Sequence, residues 1–191
     1  MLITTIALMT LSLGQSKADL NKMLTGQMGP TEAHKRLEIL AGQFDHTLSI
    51  AMVPGSKPME IKSDAVGKWV VQGRFLELAT TPAKGEELRF ESRALLGYDT
   101  IRKKYTAFLL DSFGTYSVSA EGVWEDDSKS FVLIGKAESG AGQGFGFRLT
   151  ITPKTDQVLW SVSAQKPGTD GSKPEHWSSF GTTTLKRKSR S

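Results

Sequence analysis

The sequence predicts an all-β chain: an antiparallel up-and-down β-barrel of about ten strands, with one short N-terminal helix closing an end. Three observations carry this. Between residues 43 and 185, apolar and polar side chains alternate with a period of two in a series of short runs, the pattern of half-buried strands. Clusters rich in Gly, Pro, Asp and Ser separate the runs every ten residues or so. The connections are too short for parallel crossovers, which need about a dozen residues or more. Strands joined by hairpins in this number close into a barrel and so remove their exposed edges. Such a barrel holds a small ligand and is too narrow for an aqueous channel.

With 191 residues the chain fits one domain that can bury a full core. It has no cysteine, which excludes disulfides, thiolate metal sites and a nucleophilic thiol. An apolar run at residues 2–13, followed by Ser16-Lys17-Ala18, reads as a signal peptide over residues 1–18, and hence as export, although no Lys or Arg precedes the run. The run is too short for a membrane span, which needs about twenty residues, so stable membrane insertion is not expected. Residues 19–30 read as a polar, flexible connector. The domain proper then occupies residues 31–185.

The net charge of +4 concentrates in a basic tail at residues 186–191, where Lys186, Arg187, Lys188 and Arg190 account for all of it. A solvated, frayed tail is expected there. Aromatics are not interleaved with basic residues, so no stacking groove for nucleic acid is expected.

Pro30 and Thr31 open the helix. Ala33, Leu37, Leu40 and Ala41 recur at intervals of three and four, giving about three turns with one apolar stripe, and Gly42 ends it. The first strand follows at once, with Phe44, His46, Leu48, Ile50 and Met52 on one face. Later strands set Ile61, Ala65, Gly67 and Trp69 inward, then Leu88, Phe90, Ser92, Ala94 and Leu96, then Tyr116, Val118, Ala120, Gly122 and Trp124. Phe145, Phe147, Leu149 and Ile151 come next, after a Gly-rich tip, then a run containing Trp160. A last strand runs from about Trp177 to Leu185.

Signatures of common chemistry are missing: no GxSxG elbow, Walker A or HExxH occurs. The glycines at 140, 142, 144 and 146 lack the G-x-G-x-x-G order and read as a hairpin tip. Asp99 and Asp111 lie beside turns, where Asp bonds nearby backbone N–H groups. Glu77 is ambiguous, since either it or its neighbours could face inward. Of three histidines, His34 is expected to be exposed and His176 lies in a polar loop. His46 shares the inward face, and a buried imidazole must hydrogen-bond, meet water or contact a ligand. One inward histidine without converging carboxylates does not make a metal site. No catalytic residue is assigned.

The inward aromatics Trp69, Phe90, Tyr116, Trp124, Phe147 and Trp160, together with His46, are the candidate ligand contacts. Rings with few polar groups suit an apolar or amphipathic molecule. Ser92, Ala94, Gly67 and Ala120 are small enough to leave room, while a filled interior is the alternative.

Gly42-Gln43-Phe44 at the helix–strand junction resembles the Gly-x-Trp motif of the calycin superfamily, the lipocalin-like barrels, with Phe in place of Trp. More closely, "HKRLEILAGQF", "PGSKPME", "GRFLE", "LLGYDTIRKKY", "LLDSFGT" and "EGVWEDDSK" resemble the bacterial domain of unknown function 1579, over roughly residues 31 to 185. The resemblance implies a calycin-like barrel with Phe44 sealing its base, and it carries no residue roles. The expectation for function is an exported barrel binding a small apolar molecule. The alternatives are an enzyme using the same cavity, an isomerase or a haem-dependent activity with His46 as base or axial ligand, and a filled structural or interaction module. Haem enters only through a distantly similar haem-binding branch of the calycins.

Overall fold

The computed structural model describes residues 16–26, 29–51, 56–138 and 144–189. The apolar run at 2–13, Met52 and most of the Gly-rich tip lie outside the described residues. The chain divides into two compact units, Met1–Glu32 and Ala33–Ser191.

In the first unit, helix α1 spans Lys17–Gly26, where a polar connector was expected. Its cap is reciprocal: the Ser16 hydroxyl accepts from the Asp19 amide at 3.1 Å, and the Asp19 carboxylate accepts from the Ser16 amide at 3.1 Å. Ser16-x-x-Asp19 therefore acts as a capping box. The acidic residue in the first turn also complements the helix dipole.

The second unit is the predicted barrel. Its strands are β1 (Gly42–Ile50), β2 (Met59–Val70), β3 (Phe75–Pro82), β4 (Ser92–Asp99), β5 (Lys104–Asp111), β6 (Ser117–Glu125), β7 (Ser130–Glu138), β8 (Gly144–Pro153), β9 (Gln157–Gln165) and β10 (Trp177–Arg187). Each pairs antiparallel with its neighbour in sequence, and β1 pairs with β10 to close the ring. The inner face carries the core, with Phe44, Leu76, Leu96, Phe131, Leu133, Leu149, Ile151 and Leu185 almost fully buried. Strand β4 begins at Ser92, later than the alternation suggested, so Leu88 and Phe90 precede it in a loop; Phe90 is nevertheless buried.

The helix before β1 is not the uniform three turns expected. A short helix α2 (Glu32–Lys35) tightens into a 3-10 helix over Arg36–Leu40. Three residues per turn align Leu37 with Leu40. Both are buried at the end of the barrel. Ala41 takes the extended conformation that ends the helix, and Gly42, at φ +120°, is already the first strand residue. Gly67 admits the helix: a Cβ there would lie 1.7 Å from the Leu40 carbonyl oxygen. The room that Gly67 was expected to leave for a ligand is thus taken by backbone.

Further contacts lock this closed end. The Tyr105 hydroxyl donates to the Ala33 carbonyl at 2.9 Å, and the Trp69 indole donates to Glu38 at 2.6 Å. The basic tail takes part as well, contrary to expectation. Strand β10 runs through Arg187, and Lys188 pairs with Asp64 and, at 3.5 Å, with Asp45. A charge run at a terminus looks solvated until its carboxylate and carbonyl partners, which are distant in sequence, are known.

Candidate functional site

The opposite end of the barrel opens into an internal cavity of about 290 Å³. His46 from β1, Leu78 from β3, Ala94 from β4, Phe147 from β8, and Trp160 and Val162 from β9 line it, with Phe90 entering from the loop before β4. Ser92 and Ala94, both expected to leave room, do line it, whereas Ala120 lies in the core elsewhere. Phe113, Tyr116 and Phe180 form an exposed aromatic rim at the mouth.

Five of the seven candidate contacts therefore meet at one cavity: His46, Phe90, Tyr116, Phe147 and Trp160. Tyr116 is a correction in one respect. It lies just before β6 and is 57% exposed, so it belongs to the rim, not the inner wall. Trp69 and Trp124 are not part of the cavity. Trp69 bonds Glu38 in the 3-10 helix. Trp124 packs edge-on against Phe131 at 4.8 Å, beneath the Arg36 guanidinium, and its indole donates to Asp126. Both work at the closed end.

His46 is 5% exposed and stands between Ser63 of β2 and Leu185 of β10. Its ring lies nearly parallel to Phe90, with centroids 6.1 Å apart and planes 12° from coplanar. Burial pushes its pKa down to about 4, so the imidazole is neutral at physiological pH. Its Nδ1 is buried without a hydrogen-bond partner, as are the Trp160 Nε1 and the Ser63 hydroxyl. Other polar groups nearby are satisfied: the Thr80 and Ser92 hydroxyls bond each other at 2.9 Å, and Asp111 accepts from the Phe113 amide at 2.9 Å.

The remaining candidates resolve simply. His34 is buried, not exposed, edge-on to Tyr98 at 5.8 Å, with its pKa lowered by burial and then by the Arg74 charge. It begins a helix whose inner face covers the barrel end. Asp99 accepts from the Ile101 and Arg102 amides at 2.9 Å each, as its turn position suggested. Glu77 points outward to Lys68 at 3.1 Å and Arg93 at 3.0 Å, leaving Leu76 and Leu78 inside. Those partners, Lys68 foremost, hold its carboxyl below the ordinary value. His176 bonds Asp170 at 2.9 Å.

Among the described residues no group of three or more His, Cys, Asp or Glu side chains could hold a metal ion. Haem would require an available imidazole, cations for its propionates and space. His46 meets the first condition. Arg93, the only cation lining the cavity among the described residues, already pairs with Glu77, and about 290 Å³ lies at the lower limit of small-ligand pockets, roughly 300–1,000 Å³. The residues present do not fit haem.

A larger hollow of about 910 Å³ lies outside the barrel, over the outward residues Thr106, Phe108, Glu121, Ile134 and Lys136. Arg102 and Lys104 both pair with Glu121 there. Its exposed, charged setting gives a small molecule less burial than the interior does.

The family model described as "Protein of unknown function (DUF1579)" matches residues 29–187. The chain belongs to the DUF1579 family. The match takes in the 3-10 helix before β1, all ten strands and Arg187, and so the cavity and the closed end discussed above except for Lys188. The crystal structure of Rv2717c from M. tuberculosis is similar over 83% of this chain and 99% of that one, with a TM-score of 0.55 and 14% identity. At that identity the likeness speaks to the fold alone. No curated protein matches the sequence.

Two rim residues, Phe113 and Phe180, escaped the sequence reading. Phe113 sits in the turn "SFGT", where an aromatic among small polar residues was the available signal. Phe180 falls where the β9–β10 register shifts between Ser179 and Gly181, so simple alternation misplaces it.

Proposed function

We propose that this DUF1579 protein is a binding protein that holds a small apolar or amphipathic molecule inside its barrel, as a carrier or sequestering agent. The observation that supports this most is the open-mouthed cavity itself: walls of Phe, Leu, Val and Trp side chains, a few polar groups, and a mouth rimmed by exposed aromatics. A filled module would close that space, because protein interiors pack to the density of organic crystals. Export, read from the apolar run at residues 2–13, belongs to the same proposal.

An enzymatic reading draws less support. The cavity offers a neutral imidazole, and Asp111, the one carboxylate lining it among the described residues, accepts from the Phe113 backbone amide. General acid–base work is favoured by a group whose pKa lies near the working pH.

The test is native mass spectrometry with an absorbance scan on protein purified gently from its natural compartment. The proposal expects a reproducible extra mass of a few hundred daltons or less, without visible absorbance. A visible chromophore would point to a cofactor protein. A clean apo mass, with no uptake of any apolar compound offered at high concentration, would sink the carrier reading.

A further inference from the structure

If the barrel binds a small amphipathic molecule, as read above, one carboxylate at its mouth narrows the class of that molecule. Strand β5 turns Tyr105, Ala107, Leu109 and Asp111 inward by its period of two. Asp111 is the last of them, opposite Ser92 of β4, and it lines the cavity at the open end. Its Oδ1 accepts from the Phe113 amide at 2.9 Å, which holds the turn and leaves the charge uncompensated. Among the described residues no Lys, Arg or His side chain pairs with it. Arg93, the cation on the same lining, bonds Glu77 on the outer face, and the buried His46 is neutral. Arg89 and Glu91, close by in sequence, carry opposite charges and do not line the cavity. A half-buried carboxylate beside apolar walls is costly without a counter-ion.

Two aromatic rings share the turn that carries it. Phe113 packs against Phe90 with centroids 4.9 Å apart, and the Tyr116 ring folds back over Gly114, where a Cβ would stand 2.2 Å from it. Ser112, next to Asp111, ties the turn to the chain before β4: its amide donates to the Glu91 carbonyl at 2.9 Å, and its hydroxyl accepts from the Glu91 amide at 3.0 Å. Phe113 and Tyr116 are exposed, and both line the cavity. A carboxylate beside aromatic faces is the chemistry that receives an organic cation, which gains from the opposite charge and from the ring quadrupoles together.

We propose that the barrel's ligand is an amphipathic amine: its apolar body fills the ring-lined interior, and its ammonium stays at the mouth against Asp111, Phe113 and Tyr116. Such a ligand keeps its charge where water still reaches it, and so avoids the cost of burying it. An anionic amphiphile would meet Asp111 as a like charge. At the ~30 Å³ that one water occupies in the liquid, a cavity of about 290 Å³ takes on the order of ten non-hydrogen atoms, the size of a phenylalkyl body.

The experiment compares four probes with a common phenylpropyl body by isothermal titration calorimetry at pH 7.5: 3-phenylpropylamine, 3-phenylpropan-1-ol, propylbenzene and 3-phenylpropanoate. The amine is expected to bind about tenfold more tightly than the alcohol, and the carboxylate more weakly than the alcohol. In Asp111→Asn the ratio of amine to alcohol affinity should fall to about one, with propylbenzene binding unchanged. The Asn side-chain oxygen still accepts from the Phe113 amide, so the turn is kept. Tyr116→Leu, at an exposed position, should lower the ratio by about two- to fivefold.

Equal affinities for the amine and the alcohol in the unaltered protein would overturn the proposal and leave the carrier reading standing. Tightest binding by the carboxylate would overturn it too, as would an amine preference that survives Asp111→Asn. If none of the four binds, the proposal falls, and the carrier reading then stands or falls on the native mass measurement.

Discussion

The Arg187 guanidinium lies 4.9 Å from the centre of the Phe44 ring, while its two terminal nitrogens donate to the carbonyls of Ala41 and Ile39 at 2.8 and 3.0 Å. One side chain from the last strand thus covers the aromatic that seals the barrel base and caps the 3-10 helix that leads into the first strand. The carbonyls it bonds are those left open where the helix stops. It is exposed to solvent on its outer side, which moderates its contribution.

Arg187→Ala is therefore expected to destabilise the protein by about 1–2 kcal/mol, the range of charge-assisted hydrogen bonds with solvent access. Arg187→Lys should recover less than half of this, since an ammonium cannot reach two carbonyls as a fork. Urea denaturation followed by tryptophan fluorescence measures both. Equal stability of Arg187→Ala and the unaltered protein would show that the clasp contributes nothing.

Gly42→Ala should be costly for two reasons: φ is +120°, and the new Cβ would stand 2.8 Å from the Arg187 Nη1. The conformational part alone is worth about 1–3 kcal/mol. Because the second part requires Arg187, a double-mutant cycle with Arg187→Ala should be non-additive by about 0.5 kcal/mol or more. Strict additivity would mean that the glycine serves only its backbone conformation.

Gly67→Ala tests the seating of the 3-10 helix. With a Cβ 1.7 Å from the Leu40 oxygen, the helix must lift from the barrel end. A loss of about 3 kcal/mol, at the upper end of overpacking penalties, is expected. The Trp69 indole bond to Glu38 would be disturbed with it, so near-ultraviolet circular dichroism should change along with the melting temperature. Unchanged Trp signals would place the helix independently of Gly67.

The buried His46 makes stability depend on pH. Its folded pKa, about 4, lies below the unfolded value near 6.5, so between these values the unfolded chain binds a proton that the folded protein refuses. Stability is fully present above pH 6.5 and falls as the pH drops toward 4. The limit is about 3 kcal/mol at 1.36 kcal/mol for each pH unit of separation. Carboxylates titrate in the same range, so the measure is the difference between the unaltered protein and His46→Leu: the gap in unfolding free energy should shift by that order in favour of His46→Leu between pH 7 and pH 4. A gap independent of pH would mean that His46 is not protonated on unfolding in this window.

Phe147→Ala opens one wall of the cavity. Phe147 is 3% exposed, and its removal is expected to lose about 3–5 kcal/mol. If the variant still folds, it should bind propylbenzene's bulkier relatives that the unaltered protein excludes. Identical size limits in both would show that Phe147 does not bound the cavity.

The sequence by itself determined the ring of strands, the inward face of those with unbroken alternation and, with the first of them, the inward placement of His46, because a period of two and the turn residues are local properties of the chain. Tertiary structure decided the rest. Alternation says which face a side chain takes and nothing of its depth along the barrel axis, which the register between neighbouring strands sets. Trp69 and Trp124 thus went to the closed end, while Phe90, Phe147 and Trp160 went to the cavity. Likewise, Arg187 and Lys188 look like a loose basic tail until β1, β2 and the 3-10 helix bring Phe44, Asp64 and the Ala41 carbonyl to them. Burial of His34 and the filling of the space at Gly67 have the same cause: both depend on a helix docking across strands that lie far from it in sequence, and only closure of the barrel brings them together.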